Sequence, residues 1–220
     1  MMNFLRKHTR IIFIATIVAF IGGAFMGFGD YLFGRKYNPQ TAVTVNKNKI
    51  SMKLFNSFYT HSVEMYKKTI NGEPTKNDLN ELKMKIVQAL IQEEIFYQQS
   101  KLYNITVADE ELKTDLQNSE TFRNNNIFDI RKYYLFLNSI KMTPKEYEVM
   151  RKKQIAGGKV KDIISYSVRL WNYELENSLK QDPTATKESL INTKINLIIN
   201  EWYSNIIKSS KITINNAIFK

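Results

Sequence analysis

Few side chains in this chain are equipped for covalent chemistry. Cys is absent, which removes thiol nucleophiles, thiolate metal sites and disulfides, and His8 and His61 are the only imidazoles. That count all but excludes a multi-histidine metal site. No GxxxxGK[ST] loop exists to cradle a nucleotide. Glu93 and Glu94 interrupt an apolar stripe; the functional reading is a buried acid, the bland one a Glu at the stripe's edge or paired with a Lys. What remains is adaptable apolar contact. Phe58, Tyr59, Met65, Phe122, Phe128, Tyr134, Met142 and Tyr147 are aromatic or thioether side chains able to hold other apolar groups without fixed geometry. Core packing is the competing reading for each.

Composition narrows the class further. The 220 residues are 43% hydrophobic and 24% charged, which rules out a collagen, a disulfide scaffold and wholesale disorder. Lys+Arg exceeds Asp+Glu by 32 to 21, a formal +11 that invites a nucleic-acid reading. The excess is Lys 25 against Arg 7, beside Asn 22 and Ile 26. A phosphate-reading face would favour the planar fork of arginine, so compositional drift is the better account.

The first element is apolar. Residues 11–28, IIFIATIVAFIGGAFMGF, carry no charge from Ile11 through Phe20 to Phe28. As a helix they would span about 27 Å, close to the hydrocarbon core of a bilayer. Arg6, Lys7 and Arg10 precede them, so the positive-inside rule puts residues 1–10 in the cytoplasm and the rest across the membrane. The competing readings are a cleaved signal peptide, with Gly22, Gly23 and Ala24 near the cleavage point, and a buried core helix. Both exporting readings make nucleic acid an improbable partner.

The segments that must position the apolar candidates follow a linker at residues 31–41. Ala42–Val45 reads as a strand, with a turn at Asn46-Lys47-Asn48. Ser51 is an N-cap for a helix to about Thr69, carrying Leu54, Phe55, Phe58, Val63 and Tyr66, which Asn71-Gly72-Glu73-Pro74 stops. A long helix over about 77–103 places Leu79, Leu82, Ile86, Ala89, Leu90, Glu93 and Tyr97 on one stripe. Asn104 is a plausible left-handed cap. A short helix with Leu112 and Leu116 follows, then Phe122, a turn at Asn124-Asn125-Asn126, and a helix opening at Phe128-Asp129. Thr143-Pro144-Lys145-Glu146 combines N-cap, N1 proline and N3 glutamate. Gly157-Gly158 inside the next helix is a weak point, a hinge, or a place where another backbone packs close. Ile105-x-Val107-x-Asp109-x-Glu111-Leu112 is echoed 63 residues on by Val168-x-Leu170-x-Asn172-x-Glu174-Leu175. The last helix, about 186–208, leads to Lys211–Ile214, a natural partner strand for Val43–Val45.

That order resembles the N-terminal chaperone module of SurA/PpiD-type periplasmic folding factors. The matching residues are the basic start and single span, Ala42-Val-Thr-Val-Asn46 with Ile50-Ser51, Phe55 and Phe58, and Leu90-Ile91-x-Glu93-Glu94. They continue with Asn104–Leu112, Phe122, Phe128-Asp129 with Tyr133, and Met142-Thr143-Pro144 with Glu146-Tyr147. The resemblance implies a mainly α fold: a transmembrane helix within 11–30, then a multi-helix chaperone domain over 42–220. Its C-terminal helix and strand 211–214 return to complete it through a small β element. In that family a parvulin-type prolyl isomerase follows the lead-in helix. Here Lys180–Thr184 is too short for one, and the family's histidine pair has no counterpart, so no catalytic residue, metal or cofactor carries over.

The function expected from the resemblance is membrane-anchored, ATP-independent holding of unfolded or nascent exported polypeptides in the periplasm, without isomerase activity. Inner-membrane lipid lies beside the domain, and the Sec translocon is a further candidate partner. The alternative is a non-catalytic adaptor that binds one membrane partner.

Overall fold

A computed structural model describes residues 40–181 and 186–219, and they are mainly helical with two small sheets. The chain forms two compact units, one through Ile91 and again from Lys211, the other Gln92–Ser210. Among the described residues no helix is long and apolar enough to cross a membrane. The expected anchor with Ile11, Phe20 and Phe28 lies outside them.

The first unit is built on a three-stranded antiparallel sheet of β1 (Thr41–Val45), β2 (Asn48–Ser51) and β5 (Ile212–Ile214), with β1 in the centre. β1 pairs Val43 with Ile50 and Thr44 with Lys49 on one side, and Val43 with Ile214 and Thr44 with Thr213 on the other. Alternation buries Val43, Val45, Ile50, Ile212 and Ile214, so period 2 fixes the main core face, while Ala42, at the irregularity between Thr41 and Val43, is buried as well. Asn215 closes the seam: its backbone N–H donates to Ala42 O (2.9 Å) and its Nδ2 to Thr41 O (2.7 Å). The return of the C-terminal strand to Val43–Val45, expected from the sequence, is therefore present in register.

Ser51 caps α1 (Met52–Ile70), its hydroxyl accepting from Leu54 N at 3.2 Å. Asn71 ends α1 in the left-handed conformation. Asn46, Asn71, Asn104, Asn125 and Asn126 all have positive φ, and Lys141 alone joins them among the described residues. The asparagines that composition supplies in excess occupy the backbone positions that asparagine tolerates best after glycine. α2 (Lys76–Leu102) begins in this unit and buries Ile86, Val87, Leu90 and Ile91. Ala89, expected on the same stripe, is exposed, because at 3.6 residues per turn it lies on the side opposite Val87, Leu90 and Ile91.

The second unit holds the rest of α2, α3 (Asp109–Asn118), a two-stranded hairpin of β3 (Arg123–Asn124) and β4 (Ile127–Phe128), α4 (Ile130–Ser139), α5 (Pro144–Ser167), α6 (Asn172–Gln181) and α7 (Lys187–Ser209). α5 opens with the full capping box: Glu146 N donates to Thr143 Oγ1 (3.3 Å), and Thr143 N to Glu146 Oε2 (2.9 Å). Thr186 caps α7. Gly157 resolves its three readings as close approach, since an added Cβ would stand 3.0 Å from Phe96 Cβ, whereas nothing lies within 4 Å of one at Gly158. Phe96 in turn meets Trp202 (5.3 Å) and Tyr203 (5.9 Å) of α7.

The sequence echo is a structural repeat of one device. Glu111 reaches back to accept from Ala108 N (2.9 Å), and Glu174 from Trp171 N (2.8 Å). A lysine from a long helix then pairs with each, Lys159 with Glu111 and Lys194 with Glu174, both at 2.6 Å.

Candidate functional site

The densest group of candidate residues lies in the second unit, where a short 3-10 turn, Glu120–Phe122, brings Phe122 under the β3–β4 hairpin. Phe122 is 1% exposed and meets Tyr133 (5.2 Å), Phe136 (5.3 Å), Tyr147 (6.0 Å) and Phe128 (6.5 Å) edge-on. Edge-to-face geometry lets the positive rim of one ring face the negative face of the next, so the cluster is orientationally specific. Asn125 and Asn126, both left-handed, close the hairpin, and the Arg123 guanidinium donates to Asn126 O. Burial, reinforced by the nearby Glu148 carboxylate, pushes the Tyr133 phenol up to about 12.

Beside this cluster lies a groove of about 400 Å³ between α3 and α5, lined in part by Phe128. Its apolar lining is Leu112, Leu116, Phe128 and Val149, and its rim carries Lys113, Lys145, Lys152, Asp109 and Glu148. The α3 wall buries one side chain fully, Leu112, whereas α5 buries Tyr147, Met150, Ala156, Gly157 and Val160. Ion pairs to α5 hold α3 in place. Arg151 grips Asp115 through two hydrogen bonds (2.6 and 2.8 Å), Lys152 pairs with Asp109, and Lys159 with Glu111. The Lys152 ammonium holds the Asp109 carboxyl below its usual range, and Lys159 does the same for Glu111.

Arg151 also donates to Gln154 Oε1 (2.9 Å), whose Nε2 donates to Glu93 (3.0 Å). Burial raises Glu93 against that hydrogen bond. Glu94 is buried too, with Gln98 donating to it (3.0 Å) and Lys153 3.9 Å away. Glu94 is thus a buried acid with a lysine near it, while Glu93 is half-buried at the stripe's edge and hydrogen-bonded to Gln154. Among the described residues no three His, Cys, Asp or Glu side chains gather to hold a metal ion. His8 lies outside the described residues and His61 is on α1.

The eight apolar candidates separate. Phe122 and Tyr147 are core residues, their rings enclosed by the cluster, so their surfaces are not available to a ligand in this conformation. Phe128 is half-buried and bridges cluster and groove. Tyr134 is exposed, with its ring against Tyr133, and Met142 is half-buried. Phe58, Tyr59 and Met65 belong to the other unit: Tyr59 stacks on Phe55 under Lys83, Phe58 is half-buried, and Met65 is exposed. The groove's Leu112, Leu116 and Val149 were not readable as a surface. Its walls come from helices some thirty residues apart, and no local pattern marks them as facing.

Residues 1–161 match the family described as SurA-like N-terminal domain. The chain is also 28% identical over 192 residues to the periplasmic chaperone PpiD of Buchnera aphidicola subsp. Acyrthosiphon pisum (strain APS). That alignment takes in 78% of this chain and 31% of the relative, so the chain spans about a third of the length of the curated protein it matches.

Proposed function

The chain belongs to the SurA-like N-terminal domain family, and from that membership we propose that it is a periplasmic, membrane-tethered, ATP-independent chaperone for exported polypeptides. The observation that carries the reading is the groove. An apolar floor of Leu112, Leu116, Phe128 and Val149 under a rim of both charges suits an extended segment with apolar side chains and a solvated backbone. Contacts of this kind are non-directional and weak, as holding many sequences requires. The tether is the segment from Ile11 to Phe28, which would hold the domain near emerging clients and raise their effective concentration.

The chaperone acts without prolyl isomerisation. α6 ends at Gln181 and α7 starts at Lys187, a gap shorter than even a few strands.

The test uses the full chain in lipid nanodiscs with a denatured outer-membrane protein and no nucleotide, followed by light scattering. Delayed aggregation at several-fold excess is expected, with Val149→Asp weakening it. No delay would sink the proposal. Proline-limited refolding should proceed at its uncatalysed rate. Crosslinking in cells to many nascent chains supports the chaperone, while a single stoichiometric partner would replace it with an adaptor.

A further inference from the structure

The three-stranded sheet carries a charge pattern that the groove does not need. Residues 40–63 and 211–219 contain Lys47, Lys49, Lys53 and Lys211 and not one Asp or Glu. The strand register sorts these residues. Val43, Val45, Ile50, Ile212 and Ile214 face the core, which leaves Lys49, Thr44 and Thr213 as a cross-strand row on the solvent face. The row is flanked by Lys47 on the exposed β1–β2 turn and by Lys211, whose N–H donates to Asn46 Oδ1 (2.9 Å) while its carbonyl accepts from Asn46 N (2.7 Å). Lys47, Lys49 and Lys211 are all exposed, and none makes an ion pair among the described residues.

The unit's carboxylates are elsewhere. Glu64 is 12 residues into α1, about 18 Å along its axis, and Glu73, Asp78 and Glu81 cluster around the α1–α2 turn. There Glu73 pairs with Lys67, Glu81 with Lys85, and the Asp78 carboxylate accepts from Thr75 N and Oγ1. The sheet lysines, with hydroxyls between them, thus stand apart from the unit's carboxylates, whereas Lys67 and Lys85 on the helices stand beside acids.

We infer that this face of the sheet, with Lys47, Lys49 and Lys211 around Thr44 and Thr213, docks on the phosphate headgroups of an anionic bilayer. Position along the chain favours that occupant over a soluble polyanion. Only 12 residues separate Phe28 from Thr41, so the sheet can stand no farther than roughly 40 Å from the end of the apolar segment. The inference rests on that segment entering the membrane, as proposed above. Docking would hold the sheet at the surface.

The absence of native cysteine allows the test. The full chain carrying Thr213→Cys, labelled with a fluorophore, is reconstituted into vesicles of phosphatidylcholine alone or mixed with phosphatidylglycerol, each containing a headgroup quencher. Alkali-resistant flotation reads the membrane segment separately and should not depend on lipid charge. Quenching at position 213 is expected only with phosphatidylglycerol. It should decline in high salt, and the docked-to-free ratio should fall about fivefold for each of K47Q, K49Q and K211Q. Equal quenching in both lipids, or none in either with flotation intact, overturns the docking while leaving the anchor standing. Polyglutamate that suppresses quenching at concentrations too low to screen charge would assign the face to acidic polypeptides instead. Loss of flotation would remove the premise and the inference together.

Discussion

Val43, Val45, Ile50, Ile212 and Ile214, with Phe55 as that unit's one fully buried ring among the described residues, give one unit a core mainly of branched aliphatics, whereas Phe96, Phe122, Tyr133, Tyr147 and Tyr203 organise the other around rings. The ion pairs differ in the same way. In the first unit they are local, between Lys67 and Glu73 or Lys85 and Glu81; the second has local pairs too, Lys113 with Glu110 and Arg131 with Asp129, but adds pairs that tie helix to helix, α3 to α5 and α6 to α7. Strands need only the correct parity to bury Val and Ile, so register suffices to specify them. Short helices of ten residues bury too little to hold position unaided and depend on ring geometry and on charged clamps. The unit with the groove is therefore the one whose walls are adjustable.

The sharpest way to break this contrast is Phe122→Ala. Removing the ring on which Tyr133, Phe136, Tyr147 and Phe128 converge should destabilise the ring-built unit by about 3–5 kcal/mol. Denaturant titration measures the loss, and hydrogen exchange locates it. Protection should fall in α4 and α5 and persist in β1. Equal loss in β1 would show that the two cores do not differ in the way argued. Arg151→Met comes next. It deletes both hydrogen bonds to Asp115 and leaves a largely buried carboxylate facing a thioether, at a cost of about 2 kcal/mol. Its signature is exchange of α3 amides well ahead of those in α5.

Gly157 and Gly158 sharpen the comparison by sign. Both sit inside α5, where alanine is the better helix former by about 1 kcal/mol. At Gly158 that gain is realised in open space, so Gly158→Ala should raise the midpoint of thermal unfolding. At Gly157 the new methyl meets Phe96 at its Cβ and along its backbone, and overpacking of about 1–3 kcal/mol outweighs the propensity. Gly157→Ala should therefore lower the midpoint. If both substitutions stabilise, the α2–α5 contact is looser than drawn.

These positions also show what could be read from the residues alone. Ser51, Thr143 with Glu146, and the asparagines at left-handed positions declare themselves because capping and turn chemistry is local. The match of Ile212–Ile214 with Val43–Val45 was legible from alternation, although 165 residues separate Asn46 from Lys211. The aromatic candidates were less so. Phe122, Phe128 and Tyr134 belong to the same residue class in one stretch of sequence, yet they end as core, rim and surface. What separates them is a hairpin of two-residue strands that read only as a turn. Phe96, which meets Gly157, Trp202 and Tyr203, had no distinguishing local signal at all.

Acid should produce the smallest and most local effect. Asp109 and Glu111 have carboxyl pKa values lowered chiefly by hydrogen bonds from Lys152 and Lys159, so their folded values lie below the unfolded ones. Their contribution is complete above the ordinary carboxylate range near pH 4 and disappears as pH falls through the lower folded values. Glu93 runs the other way: burial raises it, so protonation relieves a cost that neutral pH imposes. Global unfolding would mix the two signs. Exchange of α3 amides, corrected for intrinsic rates and referred to those of α5, separates them. The ratio should be flat from pH 7 to 5 and rise below about pH 4. An α3 helix that tightens between pH 7 and 5 instead would point to Glu93, through Gln154 and Arg151, as the group that governs this wall of the groove.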